Sequence, residues 1–279
     1  MGEKTNSIKM IDNTDIIQSF LDEINVENRN TSPNSWVFVS NLNGVDIFHK
    51  TFDKHIGILG EAFLPDVNPS TFFNFLRKAG NRVSFDKSCV DSNDVDKLTP
   101  ESDVIRYYFK LWPAAPRDVV VKRCWKELKN KSFILAETSI THSETPEVPT
   151  YLRSDVAIAG YLLSRHRIPK GKSSIDTSSI SEDVKGKVES DFAQSSSTTP
   201  TSPVPSISPS MLSSTLTSAA IGTEEEVEDY ENYIYGTKYT YLVVVDPMAW
   251  VPETVLRKWS LEYPQILKAA AEEMKSRGR

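Results

Sequence analysis

Apolar residues first recur at helical spacing: Ile17, Phe20, Leu21 and Ile24 fall at i, i+3, i+4 and i+7, which predicts an amphipathic helix over Asp15 to Ile24. The pattern then changes to strands. Ser35 to Ser40, Val45 to Lys50 and Ile56 to Phe63 read as an antiparallel meander, with Asn43-Gly44 as the tight turn between the first two. Asn68-Pro69-Ser70 supplies an N-cap and an N1 proline, and Phe72, Phe73 and Leu76 continue a helix that Gly80 ends. A further helical piece is expected around Asn81 to Val90. Strands are then predicted at Val104 to Trp112, Val119 to Trp125, Phe133 to Ile140, Tyr151 to Leu163 and Thr237 to Val245, about eight in all.

The last helix, Glu253 to Arg277, aligns Leu256, Trp259, Tyr263, Ile266, Leu267, Ala270 and Met274 in one stripe. Pro264 lacks an N–H inside that helix and should interrupt it. A long antiparallel sheet closed by one apolar terminal helix leaves a natural ligand cavity between the two.

Composition divides this pattern once. From Gly171 to Ala220, 16 Ser, 6 Thr and 4 Pro stand among 50 residues with Phe192 the sole aromatic, and the acidic run Glu224 to Asp229 follows. Such a stretch cannot bury enough apolar surface to offset its ordering entropy. Residues 168–232 are therefore expected to form a disordered insertion, with Ser202-Pro203 and Ser208-Pro209 as candidate phosphorylation sites and the tract as a candidate contact for a protein partner. The segment beyond it is too short for a core of its own and must fold back, giving a disordered 1–14 and one domain over 15–279.

Charge and chemistry narrow the class. The net charge is −6 and no Lys/Arg run exceeds two residues, which argues against nucleic-acid binding. Cys89 and Cys124 form no CxxC, and the start carries no signal-peptide core, so a cytoplasmic setting is expected. No apolar run reaches the ~20 residues of a membrane span, leaving only peripheral membrane contact. Met1-Gly2 begins a partial myristoylation motif in which Asn6 stands where Ser or Thr belongs. His49, His55, His142 and His166 have no metal-ligand spacing, and no G-x-S-x-G elbow is present; neither enzyme chemistry, cofactor nor metal is expected.

Two tryptophans stand in proline-bearing turns, Trp112-Pro113-Ala114-Ala115-Pro116-Arg117-Asp118 and Asp246-Pro247-Met248-Ala249-Trp250-Val251-Pro252, where an amphipathic ring suits a membrane interface. These motifs, with Leu152-Arg153, Val255-Leu256-Arg257, Glu262-Tyr263-Pro264 and Leu267-Lys268, resemble the steroidogenic-acute-regulatory-protein-related lipid transfer (START) domains from about Trp36 to Met274. Within that family they look most like the ceramide- and phosphatidylcholine-transferring members. The resemblance implies an α+β helix-grip fold, a curved antiparallel sheet around a long C-terminal helix, with one lipid in a tunnel. It implies a non-enzymatic carrier, expected to be monomeric, that takes a phospholipid or, as the alternative, ceramide or another sphingolipid. A lipid-sensing scaffold acting through the insertion is the other reading.

The same resemblance nominates side chains. Arg82 and Asp86, four apart, match a pair that holds a headgroup; Arg106 and Tyr241 match headgroup-contacting positions, and Tyr107 matches an aromatic that encloses choline. By alternation alone, Arg106 would face solvent with Tyr108 and Lys110. Val119 and Ala157 depart from the enclosing aromatics. The resemblance also makes Trp112, Pro113, Met248, Trp250 and Pro252 a membrane gate, and Arg117-Asp118 with Arg153 structural or rim charges.

Overall fold

The computed structural model describes residues 12–25, 35–52, 54–110, 112–128, 130–170, 230–246, 251 and 253–278, the last stretch without the side chains of 253–257. Residues 1–11 of the expected disordered N-terminus, the lipidation motif and all but the ends of the expected insertion lie outside these residues, as do Met248, Trp250 and Pro252, whereas Asp12, Asn13 and Thr14, also expected to be disordered, form the cap and first turn of a helix.

Among the described residues ten strands form one sheet: β1 (Val37–Leu42), β2 (Val45–Thr51), β3 (Ile56–Pro65), β4 (Cys89–Thr99), β5 (Ser102–Phe109), β6 (Arg117–Glu127), β7 (Phe133–Ser139), β8 (Leu152–Arg153), β9 (Asp155–Pro169) and β10 (Tyr233–Asp246). Their order is β1-β2-β3-β10-β9-β7-β6-β5-β4, antiparallel throughout, with β8 alongside β6 in parallel. Asn43 and Gly44 turn β1 into β2 with φ of 54° and 75°, as the Asn-Gly signal requires. The C-terminal segment does fold back: β10 pairs with β3 on one side and β9 on the other, and Lys170 N donates to Asn232 O at the end of the β9–β10 pairing.

Strand alternation splits the apolar residues between two faces. On one, helix α1 (Asn13–Ile24), capped by Asp12, buries Ile16, Ile17, Phe20 and Ile24 against Trp36, Leu59, Ile134, Leu242 and Val244. Full burial of a side chain such as Phe20 contributes about 1.5–3 kcal/mol. The other, inner face carries Ile58, Val121, Leu135, Tyr239, Tyr241 and Val243, and packs on helix α2 (Pro69–Arg77) and the C-terminal helices.

Those helices are α4 (Glu253–Glu262) and α5 (Ile266–Arg277), separated by a 3-10 turn at Tyr263–Gln265 where Pro264 denies the ladder its bond. The turn is seated directly on the sheet. Tyr239 Oη donates to Pro264 O at 3.1 Å, and Gly60 lies so close that a Cβ there would meet Pro264 Cβ at 2.5 Å. The break thereby aims Tyr263 into the space under the sheet.

Three expectations need correction. The piece expected to be helical from Asn81 to Val90 is helical only as the short α3, Arg82–Phe85, and then becomes the edge strand β4, unforeseen because Asp91, Ser92, Asn93, Asp94 and Asp96 hide its alternation. The strand expected from Tyr151 to Leu163 is two, β8 and a β9 that continues to Pro169. Arg106 does not turn inward: Ile105 and Tyr107 take the inner parity of β5, leaving Arg106 on the opposite face.

Candidate functional site

Between the inner face and the C-terminal helices lies a space of about 790 Å³, counting its part open to solvent. Its walls are apolar for most of their length: Val119 of β6, Val156 and Ala159 of β9, Val243 and Val245 of β10, and Trp259 of α4. One end is polar. Arg82, Tyr107, Glu137, Tyr241 and Tyr263 line it, and all of these but Tyr263 also line a second space of about 460 Å³ deeper under α5, reaching Arg123 and Tyr161.

Arg82 is the centre of this polar end. Short α3 holds it, and its Nε donates to Asp86 Oδ2 at 3.0 Å while Nη2 donates to the Tyr263 hydroxyl. Its guanidinium carbon also lies 4.9 Å from the Tyr107 ring centre and 5.1 Å from that of Phe109. Burial alone would lower its pKa, but Tyr263, Asp86, Tyr241 and Glu137 outweigh burial and raise it. Asp86, 4% exposed, stands behind Arg82: its other oxygen accepts from Ser88 N at 3.0 Å and Ser88 Oγ at 2.6 Å. Ser88 and Arg82, rather than Asp86, line the cavity.

Glu137 is the residue that sequence reasoning missed. It follows Phe133 and Leu135 at spacing two on β7, a parity that those two residues already fix as inward, and this was the available signal. Its cross-strand neighbours are Arg123 and Ala159. Arg123 is committed elsewhere, donating to both Asp103 oxygens at 2.8 and 2.6 Å, to Arg77 O at 3.0 Å and to the Tyr107 hydroxyl at 3.2 Å. Burial lifts Glu137 above the usual carboxylate range, opposed by Arg82 and Arg123.

Both segments expected to form a membrane gate begin and end beside this cavity. Phe109 and Arg117 flank residues 110–116, Val245 and Val251 flank 246–250, and all four residues line the same cavity. Trp112, at the tip of the first loop, is 90% exposed, and Pro113 is exposed beside it. Arg117, expected as a structural or rim charge, is buried rather than at an exposed rim. It is 2% exposed, its Nη1 donates to Ala115 O, and its Nε and Nη2 have no partner; burial lowers its pKa.

On the outer face Arg106 Nε reaches Asp118 Oδ2 at 2.9 Å, and Arg153 donates to both Asp118 oxygens at 3.0 and 2.8 Å. Burial would raise Asp118, but the bonds from Arg153 and Arg106 outweigh it and hold its pKa below the ordinary value. The structure thus gathers Arg82, Asp86, Tyr107 and Tyr241 at one end of the cavity and separates Arg106 from them. Ala157 lies at a register shift between β9 and β10, so Val156 and Ala159 both face inward instead.

Among the described residues no helix is long and apolar enough to cross a membrane. A comparison with curated protein sequences returned no match. Among solved structures, that of human STARD10 matches with a TM-score of 0.59 at 18% identity, over 97% of this chain and 82% of the other. Human StAR-related lipid transfer protein 5 matches at 0.60 and 13% identity, over 96% of both chains. The lipid transfer and protein localization domain of human StarD13 matches at 0.52 and 15%, over 92% and 96%. At such identities these likenesses speak for the helix-grip fold. The START domain family model matches residues 16–188, more than half the sequence, and the chain belongs to the START domain family of lipid-binding modules.

Proposed function

We propose that the protein holds one phospholipid in the cavity and carries it between membranes. The observation that carries this reading is the cavity itself, an apolar chamber with a hydrogen-bonding cluster around Arg82 at one end. Exposing acyl chains to water costs about 0.8 kcal/mol per CH2. Replacing that water with valine side chains removes the main barrier to moving a lipid. The polar headgroup sits at the Arg82 end, where charge-assisted hydrogen bonds to a phosphate contribute about 1.5–3 kcal/mol. Tyr107 and Tyr241 border the headgroup, and Asp86 acts as a positioning residue that orients Arg82.

A phosphate-bearing lipid is favoured over ceramide by a second cation. Arg117, buried and without a carboxylate partner beside the mouth, suits the phosphates a lipid presents on entry. Trp112 and Pro113 form the exposed part of a membrane gate, completed by Met248, Trp250, Pro252 and the lid α4. The reading assigns no catalytic residue and no cofactor, and it puts the protein in the cytoplasm with transient membrane contact.

The test is transfer of phosphatidylethanolamine and phosphatidylcholine between donor and acceptor vesicles. Wild type moves at least one of them, and Arg82→Ala lowers extraction by about tenfold or more, the equivalent of one lost charge-assisted contact. Absence of lipid extraction by wild type would contradict the reading.

A further inference from the structure

Arg117 of β6 apart, the charges at and behind the Arg82 end of the cavity do not balance. Its described inner groups include two guanidiniums, Arg82 and Arg123, and three carboxylates, Asp86, Asp103 and Glu137. Asp86 and Asp103 each have short bonds to one of the arginines. Glu137 has neither: its nearest cation is Arg82 Nη1 at 3.9 Å, and no hydrogen bond from the described residues reaches its carboxylate. Its side chain is 12% exposed, and the spaces it borders are those of the cavity. A polar group enclosed without a hydrogen bond destabilises the fold, more so when charged, unless something donates to it.

On this basis, and resting on the lipid-binding reading above, we propose that Glu137 is a specificity-determining residue that accepts a hydrogen bond from the headgroup of the bound phospholipid. The headgroup must therefore carry N–H or O–H donors. Its phosphate lies against Arg82 while the donor reaches the carboxylate beside it, so neighbouring protein charges of opposite sign meet the two ends of the headgroup. An ethanolamine headgroup fits this arrangement. A choline headgroup, with the same phosphate and positive charge but no N–H, leaves Glu137 without a hydrogen-bond donor.

The N-methyl series separates these cases, because from phosphatidylethanolamine through its mono- and dimethyl derivatives to phosphatidylcholine each step replaces one N–H by a methyl group, and only the last removes the final donor. Vesicles holding equal amounts of all four, with identical acyl chains, are offered to the full chain, and the lipids retained are quantified by mass spectrometry. Wild type retains phosphatidylethanolamine over phosphatidylcholine by about tenfold or more, with the drop at full methylation, as loss of one charge-assisted hydrogen bond requires. Glu137→Gln, nearly isosteric, brings that ratio below about threefold. Equal retention of all four lipids by wild type overturns the proposal, as does an unchanged ratio in Glu137→Gln. A wild type that retains no lipid contradicts lipid binding itself, whereas indiscriminate retention contradicts only the role of Glu137. Should Glu137→Gln not fold, the wild-type series alone decides.

Discussion

Two clusters of arginine and carboxylate lie on opposite faces of the same sheet and have opposite balances. On the outer face one carboxylate, Asp118, serves two arginines, Arg106 and Arg153, and is itself 0% exposed. On the inner face one arginine, Arg82, stands beside two carboxylates, Asp86 and Glu137, and only Asp86 is hydrogen-bonded to it. The outer cluster satisfies its acceptor from within the protein and ties β5, β6 and the short β8 together. The inner one leaves a carboxylate facing a cavity. Saturation marks a structural cluster and an unmet acceptor marks a site, which composition and spacing alone do not distinguish.

The sharpest way to break this comparison is to remove Asp118. Asp118→Ala leaves two guanidiniums without their shared acceptor and should cost about 3–5 kcal/mol of stability in urea denaturation. A loss below about 1 kcal/mol would deny the outer cluster its structural role. Next in size is the contrast between the arginines. Arg82→Ala should weaken phospholipid extraction by about 1.5–3 kcal/mol, whereas Arg106→Ala should lower stability and leave extraction per folded molecule unchanged. The reverse pattern would interchange the two assignments.

Glu137 gives a smaller, pH-dependent effect. Its folded-state pKa is raised by burial, against Arg82 and Arg123 and with Asp103 adding to the rise, so the folded state binds this proton more tightly than the unfolded chain. Stability from this group is therefore full below the ordinary carboxylate pKa, falls as pH climbs from there through the raised value, and stays low above it. Glu137→Gln should remove that decline and gain about 1 kcal/mol relative to wild type at neutral pH, followed by thermal melts between acid and neutral pH. The smallest effect on stability belongs to Trp112→Ala, within about 0.5 kcal/mol because the ring is exposed, yet vesicle-to-vesicle transfer should slow. An unchanged transfer rate would remove Trp112 from the gate.

Much of the fold was legible because alternation and proline placement report directly on local geometry. Asn43-Gly44, the Asn68-Pro69 cap and Pro264 each specified the turn, start or break found there. The edge strand β4 was not legible, since an edge needs no apolar face and its acidic side chains read as loop. The site was readable in part. Arg82, Tyr107 and Tyr241 came from resemblance and do line the cavity, but resemblance also drew Arg106 inward against the alternation that put it on the opposite face, where it is buried against Asp118 rather than solvated. Glu137 lay open to the opposite error, a charge on a half-apolar strand that looks solvated until Phe133 and Leu135 fix its parity. Which carboxylate goes without a hydrogen bond depends on Arg123 reaching Asp103, twenty residues away in sequence, and no local pattern carries that.

The central claim is that the cavity beside Arg82 holds one phospholipid, and native mass spectrometry of the full chain purified from cells measures this directly. The account predicts a single adduct with the mass of one phospholipid on wild type, lost or sharply reduced in Arg82→Ala. A bare wild-type mass, or an adduct that persists undiminished in Arg82→Ala, would contradict it.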